Sequence, residues 1–339
     1  MIRHGIIPPY LLRSIAVNGS RRQQALAWAT LTDSEQIRGE RRALPPLTRL
    51  AVVPGRLRRS VYDARNRYDL PGRLVRSEGS AASGDPRVNE AYSGAGATYE
   101  MWRKVFERNS VDDRGMRLDA TVHYGKDYDN AFWNGRQMVY GDGDGVIFGP
   151  FTRALDVIGH ELAHGMVQYE ADLVYRGQPG ALNESFADVF GILVKQYRRR
   201  QTAEESDWLI GVGLFRPGVG ARALRSMREP GTAYDDPVLG KDPQPGHMRD
   251  YVDTSEDNGG VHLNSGIPNR AFCELALRLG GYAWERAGQI WYRTLCDKLR
   301  PNSTFREACS RSVTAAGELY GPNSPEQKAT RESWAAVGL

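Results

Sequence analysis

The residues of this chain best suited by type and spacing to do chemistry are two histidines four apart with an acid beside the first, His160-Glu161-Leu162-Ala163-His164. On a helix that advances about 100° per residue, positions i and i+4 share a face, where two imidazoles can grip one cation. Glu161 is turned to the flank of that pair. It cannot ligate comfortably from there, but it can take a proton from a water that zinc polarises together with a scissile carbonyl. A bare motif of this kind also arises by chance, and a second segment, Asn183-Glu184-Ser185-Phe186-Ala187-Asp188, makes it specific. Glu184 is the natural third ligand, because two His and one carboxylate leave the fourth tetrahedral position open, as in catalytic rather than structural zinc sites. Asp188 stands one turn further on, placed to accept the other ring N–H of His160 and fix its tautomer.

These groups require two packed helices. Leu155, Val157, Ile158, Leu162 and Met166 make one apolar helical face, and Leu182, Phe186, Val189, Phe190, Leu193, Val194 and Tyr197 another. Gly177, Pro179 and Gly180 read as the connection between them. Residues 61–151 are rich in glycine and in short β-favouring runs, at 120–124 and 137–140, interrupted by a helix predicted over 98–109. The body is therefore α+β, a β-rich half followed by a helical half. Ahead of it, residues 1–50 hold a predicted helix at 23–31, with Ser20 as its cap, and end at the Pro45-Pro46 break.

With 339 residues, 40% apolar and 25% charged, the chain reads as a soluble globular protein of two or three domains. No window approaches the roughly 18 apolar residues that span a bilayer. The apolar run starting at Ile6 is broken by Pro8 and Pro9, so no signal peptide is expected. Cys273, Cys296 and Cys309 lack metal-ligand spacing; at most one pair, such as Cys296 and Cys309, could bridge, and buried free thiols are expected. The net charge of +4 conceals an asymmetry: residues 1–60 carry eleven Arg and no Lys against Asp33, Glu35 and Glu40, which is +8 and leaves −4 elsewhere. No aromatic stacking platform accompanies those arginines, which argues against nucleic acid and for a basic segment docked on a mildly acidic body.

The zinc motif, the nineteen residues that follow it and Glu184 within Asn-Glu-x-x-x-Asp together resemble the thermolysin-like metallopeptidases. The likeness continues in Asn130-Ala131-Phe132-Trp133, in Tyr140-Gly141-Asp142-Gly143-Asp144-Gly145, in Leu224-Arg225-Ser226-Met227 and in the run from Asp257 to Gly266. It implies a thermolysin-like zincin fold and a neutral zinc endopeptidase acting on proteins and peptides. By the same likeness, Asn130 and the Ala131 carbonyl bind the substrate as an added strand. Tyr175 and His262 donate to the oxyanion, and Asp257 orients His262. Arg225 holds a substrate carbonyl, while Phe148, Phe151, Val157 and Leu224 line the pocket for the residue after the cleaved bond. That pocket implies cleavage before Leu, Phe, Ile or Val, and Phe151, bulkier than the family's leucine, makes it shallower. Asp142-Gly-Asp144-Gly is not an EF-hand, since the twelfth loop position is Arg153. An aminopeptidase would need an acidic site for a free amine, and no such motif is present.

At the family's double calcium site this chain has Asp156, Lys195, Asp207, Leu209 and Val212, too few carboxylates for a calcium cage. The site is expected to be lost, with Lys195 paired to Asp156 or Asp207. Ile7-Pro8-Pro9-Tyr10-Leu11-Leu12 resembles the short propeptide motif of protealysin-type members. Pro8, Pro9 and Tyr10 are expected to lie extended across the cleft as an intramolecular inhibitor. The division that follows is a propeptide over residues 1–55, a catalytic subdomain over 56–170 and a helical subdomain over 171–339, with release by a cut within residues 43–60. A monomer, accumulating as a cytoplasmic precursor and leaving the cell by a non-classical route, completes the expectation.

Overall fold

The structure is a computed structural model of the chain and describes residues 5–41 and 56–339, leaving aside the side chains of residues 34–41. The Pro45-Pro46 break, the boundary expected at residue 55 and most of the stretch expected to be cut lie outside the described residues.

Helix α1 (Pro9–Asn18) opens on a proline, which suits the first helical position because no N–H is needed there. Leu11, Leu12, Ile15 and Ala16 form its buried face. The expected extended diproline holds only at Pro8, whose backbone is extended and whose carbonyl accepts from the Leu11 and Leu12 amides; Pro9 is already the first residue of the helix, and the chain bends at Ile6 and Ile7. Helix α2 (Arg21–Arg41) contains the helix expected at 23–31 and runs beyond it. Ser20 caps it reciprocally with Gln23, Ser20 N–H to Gln23 Oε1 at 2.7 Å and Gln23 N–H to Ser20 Oγ at 3.4 Å.

Five strands form one sheet: β1 (Arg59–Asp63), β2 (Arg73–Ser77), β3 (Leu118–Val122), β4 (Ala131–Trp133) and β5 (Met138–Tyr140). The order is β2-β1-β3-β5-β4, with β1, β3 and β5 parallel and β2 and β4 antiparallel at the edges. Helix α3 (Pro86–Val105) starts well before the predicted residue 98. Its Gly94 serves packing: a Cβ there would stand 2.3 Å from the Ile158 side chain.

Ile158 belongs to α4 (Leu155–Tyr169), which packs on α5 (Gly177–Arg199). Gly177, Pro179 and Gly180, expected in the connection, already form the first turn of α5, where a proline is tolerated. The two helices approach closely at Gly191, where a Cβ would come within 2.4 Å of the Asp156 carbonyl and 3.0 Å of the His160 amide nitrogen. Glycine there sets the spacing that lets α5 reach the histidine face of α4. A two-stranded ribbon, β6 (Leu209–Ile210) with β7 (Arg225–Ser226), and a second, β8 (Asp235–Asp236) with β9 (Gly240–Lys241), follow. The rest is helical: α6 (Asp257–Asn264), α7 (Gly266–Leu279), α8 (Ala287–Arg293), α9 (Phe305–Tyr320) and α10 (Pro325–Ala335). All three cysteines are free thiols, Cys273 buried and the other two half-buried.

Asp85 caps α3 through the Arg87 amide at 2.8 Å and also meets His123 Nε2 at 2.6 Å, while His123 Nδ1 meets Asp142 at 2.7 Å. The Asp142 hydrogen bond, reinforced by Asp85 against the effect of burial, raises the imidazole to about 9. A raised folded-state value means stabilisation that is complete below about 6.5, the unfolded value, and lost as pH rises through about 9. Chemical denaturation between pH 6 and 10 should show that alkaline loss in the native chain, and His123→Gln should flatten it.

Candidate active site

Helix α4 puts His160 and His164 on one face with their Nε2 atoms 3.0 Å apart. Each ring is fixed from behind. His160 Nδ1 lies 2.8 Å from Asp188 Oδ1, and His164 Nδ1 lies 2.8 Å from Asn183 Oδ1. Both oxygens only accept, so both rings carry their proton on Nδ1 and turn Nε2 lone pairs toward each other. Two facing lone pairs repel unless a cation lies between them. Glu184 completes the group, with carboxylate oxygens 3.6 Å from His160 Nε2 and 3.5 Å from His164 Nε2. Its Oε2 is buried without a hydrogen-bond partner. One ligand atom from each of the three residues falls within 4.8 Å of the others, a set suited to a metal ion and in its chemistry to zinc. Burial lowers both imidazoles to about 4, which keeps them neutral and able to ligate at ordinary pH.

Glu161 is fully buried and accepts from the Trp133 amide of β4 at 2.8 Å. Burial, with the nearby Glu184 charge, pushes its carboxyl well above the usual range. Tyr175 hydrogen-bonds Glu184 and stands 3.5 Å from His262 Nε2. His262 sits on α6 behind a left-handed run, Asp257, Asn258, Gly259 and Gly260, all at positive φ. Two glycines make that run affordable to the backbone. It folds Asp257 back so that its carboxylate takes both the His262 backbone N–H and Nδ1, each at 2.7 Å. Burial opposes protonation of His262, but Glu184 and Asp257 raise it overall.

Asp188 is the meeting point of the site. It accepts from His160, from Arg225 Nε at 2.9 Å and Nη2 at 2.8 Å, and from Asn269 Nδ2 at 2.8 Å. Against the effect of burial, Arg225 and His160 hold its carboxyl well below the usual range.

The cleft between β4 and Arg225 is filled by the chain's own N-terminal residues. Ile6 N–H donates to the Ala131 carbonyl at 3.0 Å, and Ile7 N–H to Asn130 Oδ1 at 3.0 Å. Arg225 Nη1 donates to the Ile6 carbonyl at 3.2 Å. The Ile6 amide also faces Glu161. Phe148, Phe151, Val157 and Leu224 are buried in the same apolar cluster as Ile6 and Ile7. Pro8 and Pro9 are buried beyond them. The Tyr10 hydroxyl is buried as well, near Tyr234, Asp242 and Arg225. Further out, Arg13 pairs with Glu256, Ser14 Oγ donates to the Val238 carbonyl at 2.9 Å and Arg22 pairs with Asp127 at 3.1 Å.

The thermolysin metallopeptidase catalytic-domain model matches residues 48–168, and the thermolysin metallopeptidase alpha-helical-domain model matches residues 171–339. The chain belongs to the thermolysin metallopeptidase family. An extracellular metalloprotease of Pectobacterium carotovorum subsp. carotovorum is 52% identical over 336 residues, 98% of this chain and 96% of its own. Protease PrtS of Photorhabdus sp. (strain Az29) is 51% identical over 347 residues, 99% of this chain and 92% of its own. A bacillolysin of Bacillus cereus is 42% identical over 82% of this chain, but only 48% of its own length is matched. Among solved structures, the precursor of protealysin, a metalloproteinase from Serratia proteamaculans, superposes with a TM-score of 0.91 at 51% identity, covering 99% of each chain.

The structure of this metallopeptidase thus gathers His160, His164, Glu184, Glu161, Asp188, Tyr175, His262 and Asp257 at one centre, beside Asn130, Ala131 and Arg225. Asn183, Asn269 and Ile6 carry no role in the sequence analysis, and Ile7 only that of the first residue of the propeptide motif. Asn183 had a signal, its position next to Glu184 on the same helix. Lys195 Nζ lies 3.1 Å from Asp156 and 2.9 Å from Asp207 and donates to the Leu209 carbonyl, while Val212 is exposed. Asp144, in the segment that mimics a calcium loop, instead accepts from the Val146, Ile147 and Phe148 amides.

Replacing Asn183 by Ala frees the His164 ring from its orienting acceptor. Zinc affinity, measured by competition with a chromogenic chelator, should fall about 10- to 100-fold.

Proposed function

We propose that this family member is a zinc-dependent neutral endopeptidase made as a zymogen, with residues 1–55 as its inhibitory propeptide, 56–170 as the catalytic subdomain and 171–339 as the helical subdomain. The observation that carries this reading is the seating of Ile6 and Ile7: a peptide bonded at the start of β4 through the Ala131 carbonyl and the Asn130 side chain, with its own carbonyl on Arg225. A substrate would use the same donors and acceptors once the leader is gone.

His160, His164 and Glu184 would hold the zinc. When bound, the ion supplies Lewis acidity, making both water and the scissile carbonyl more reactive. Glu161 takes a proton from the attacking water and passes it to the leaving nitrogen, and its raised affinity for protons suits that task near neutral pH. Tyr175 and His262 donate to the oxygen of the scissile carbonyl as it gains charge, and Asp257 keeps His262 aimed and protonated. Donors placed for the tetrahedral arrangement favour it over the flat amide, which is what accelerates the step. Asp188 positions His160 and Arg225 together. The pocket of Phe148, Phe151, Val157 and Leu224 favours Leu, Phe, Ile or Val after the cleaved bond. The chain works as a monomer on proteins and peptides outside the cell, consistent with the naming of its Pectobacterium relative, after accumulating as a cytoplasmic precursor released by a non-classical route. None of its described helices is long and apolar enough to cross a membrane.

Glu161→Ala should lower casein hydrolysis by about 10²- to 10⁴-fold while bound zinc stays unchanged by atomic absorption. Undiminished cleavage by that variant would overturn the mechanism.

The double calcium site is proposed to be replaced by Lys195. Thermal unfolding should then have the same midpoint in calcium as in EGTA. Lys195→Met, which strands the Asp156 carboxylate, should cost about 3–5 kcal/mol by chemical denaturation.

A further inference from the structure

A strand that adds to a sheet points each Cβ above or below the sheet, never into its neighbour's backbone. Ile6 bonds the Ala131 carbonyl and Ile7 the Asn130 side chain at the start of β4, and the chain bends at both. Gly5 departs from this rule. An ideal Cβ built on it would stand 2.3 Å from Asn130 Oδ1 and 2.4 Å from the Ala131 carbonyl oxygen. Neither atom is free to retreat: Asn130 Oδ1 holds the Ile7 and Ala131 amides, and the Ala131 oxygen holds Ile6. Gly5 is buried. The leader therefore follows a substrate path through Ile7 and Ile6, then leaves it at Gly5, the residue that would precede the cut bond.

We propose that Gly5 makes the leader an inhibitor rather than a substrate: the residue before Ile6 turns against Asn130 and Ala131 along a path that no residue with a Cβ can follow, so the Gly5–Ile6 bond is not presented to Glu161. The inference rests on the peptidase reading above. The tight seat of Ile6 and Ile7 would by itself offer that bond for hydrolysis, with Glu161 facing the Ile6 amide. Glycine removes it from the line of attack while keeping the primed side filled. A residue with a side chain must either pull the chain back onto the substrate path, where the bond before Ile6 is cut, or loosen the seat.

The test compares full-length native protein, Gly5→Ala and, as a control, Gly84→Ala, whose Cβ would meet nothing within 4 Å. Each is loaded with zinc and followed by intact mass and by hydrolysis of a quenched-fluorescent peptide. Overpacking of this kind corresponds to about tenfold or more in the seating equilibrium. Gly5→Ala is expected to hydrolyse the peptide at least about tenfold faster than the native precursor over the same interval. It should do so either after losing residues 1–5 or with its leader intact, and Gly84→Ala should stay silent.

A second arm puts Gly5→Ala into the Glu161→Gln background and measures trypsin cleavage after Arg13, which needs no activity of the metallopeptidase. Faster cleavage after Arg13, with the thermal unfolding of the catalytic body unchanged, is expected there. The proposal is overturned if Gly5→Ala is as silent and as trypsin-resistant as the native leader, or if the native chain itself is cut between Gly5 and Ile6. Absence of hydrolysis by the native enzyme freed of its leader would instead sink the peptidase reading, and the trypsin arm would still report on Gly5.

Discussion

A fully buried carboxylate, Asp188, holds this molecule's working parts in register. Alone in an apolar interior its charge would be prohibitive; here four hydrogen bonds from His160, Arg225 and Asn269 compensate it. The residues come from α4, β7 and α7, so one charge ties the metal-binding helix, the strand that grips peptide carbonyls and the second half of the body together. Removal of Arg225, the charged partner, would leave a buried charge uncompensated, at a cost of about 3–5 kcal/mol. Metal-ligand orientation and peptide binding are thereby properties of one network.

That network can form only because α4 and α5 approach unusually closely. Gly191 faces the Asp156 carbonyl and the His160 backbone, and without a side chain there α5 comes near enough for Asp188 and Asn183 to reach the backs of the two imidazoles. On α3, Gly94 leaves room for the Ile158 side chain of α4. The β-rich half contributes the edge strand β4, whose outward groups are taken up within the chain, the Trp133 amide by Glu161 and the Ala131 carbonyl by Ile6.

Local chemistry was readable from the sequence and distant pairing was not. His160, His164 and Glu161 announce themselves because helical geometry is local, and Glu184 and Asp188 because they repeat the same geometry one helix later. Glycine was the ambiguous letter. At Gly180 it suggested a connection, yet that residue lies inside α5 with Val261 pressed close, as Gly94 lies inside α3 against Ile158, since the same residue serves turns and tight packing. The proline pair suggested an extended segment; the fixed φ of proline fits the first turn of a helix equally well, and the apolar spacing of Leu11, Leu12 and Ile15 decides for the helix. Ile6 gave no signal and Ile7 only its place in the propeptide motif, because a segment seated on a sheet edge is recognised only by the edge it meets.

The leader's second helix leads to a different kind of consequence. While the connection is intact, α1 faces its seat at an effective concentration fixed by the tether, and the apolar face of Leu11, Leu12 and Ile15 rebinds as fast as it leaves. Once the connection is severed, the same contacts belong to two molecules, and their occupancy falls with dilution. A cut leader would stay in place in concentrated solution and leave on dilution, so the volume surrounding the protein would act as a switch alongside the proposed cut.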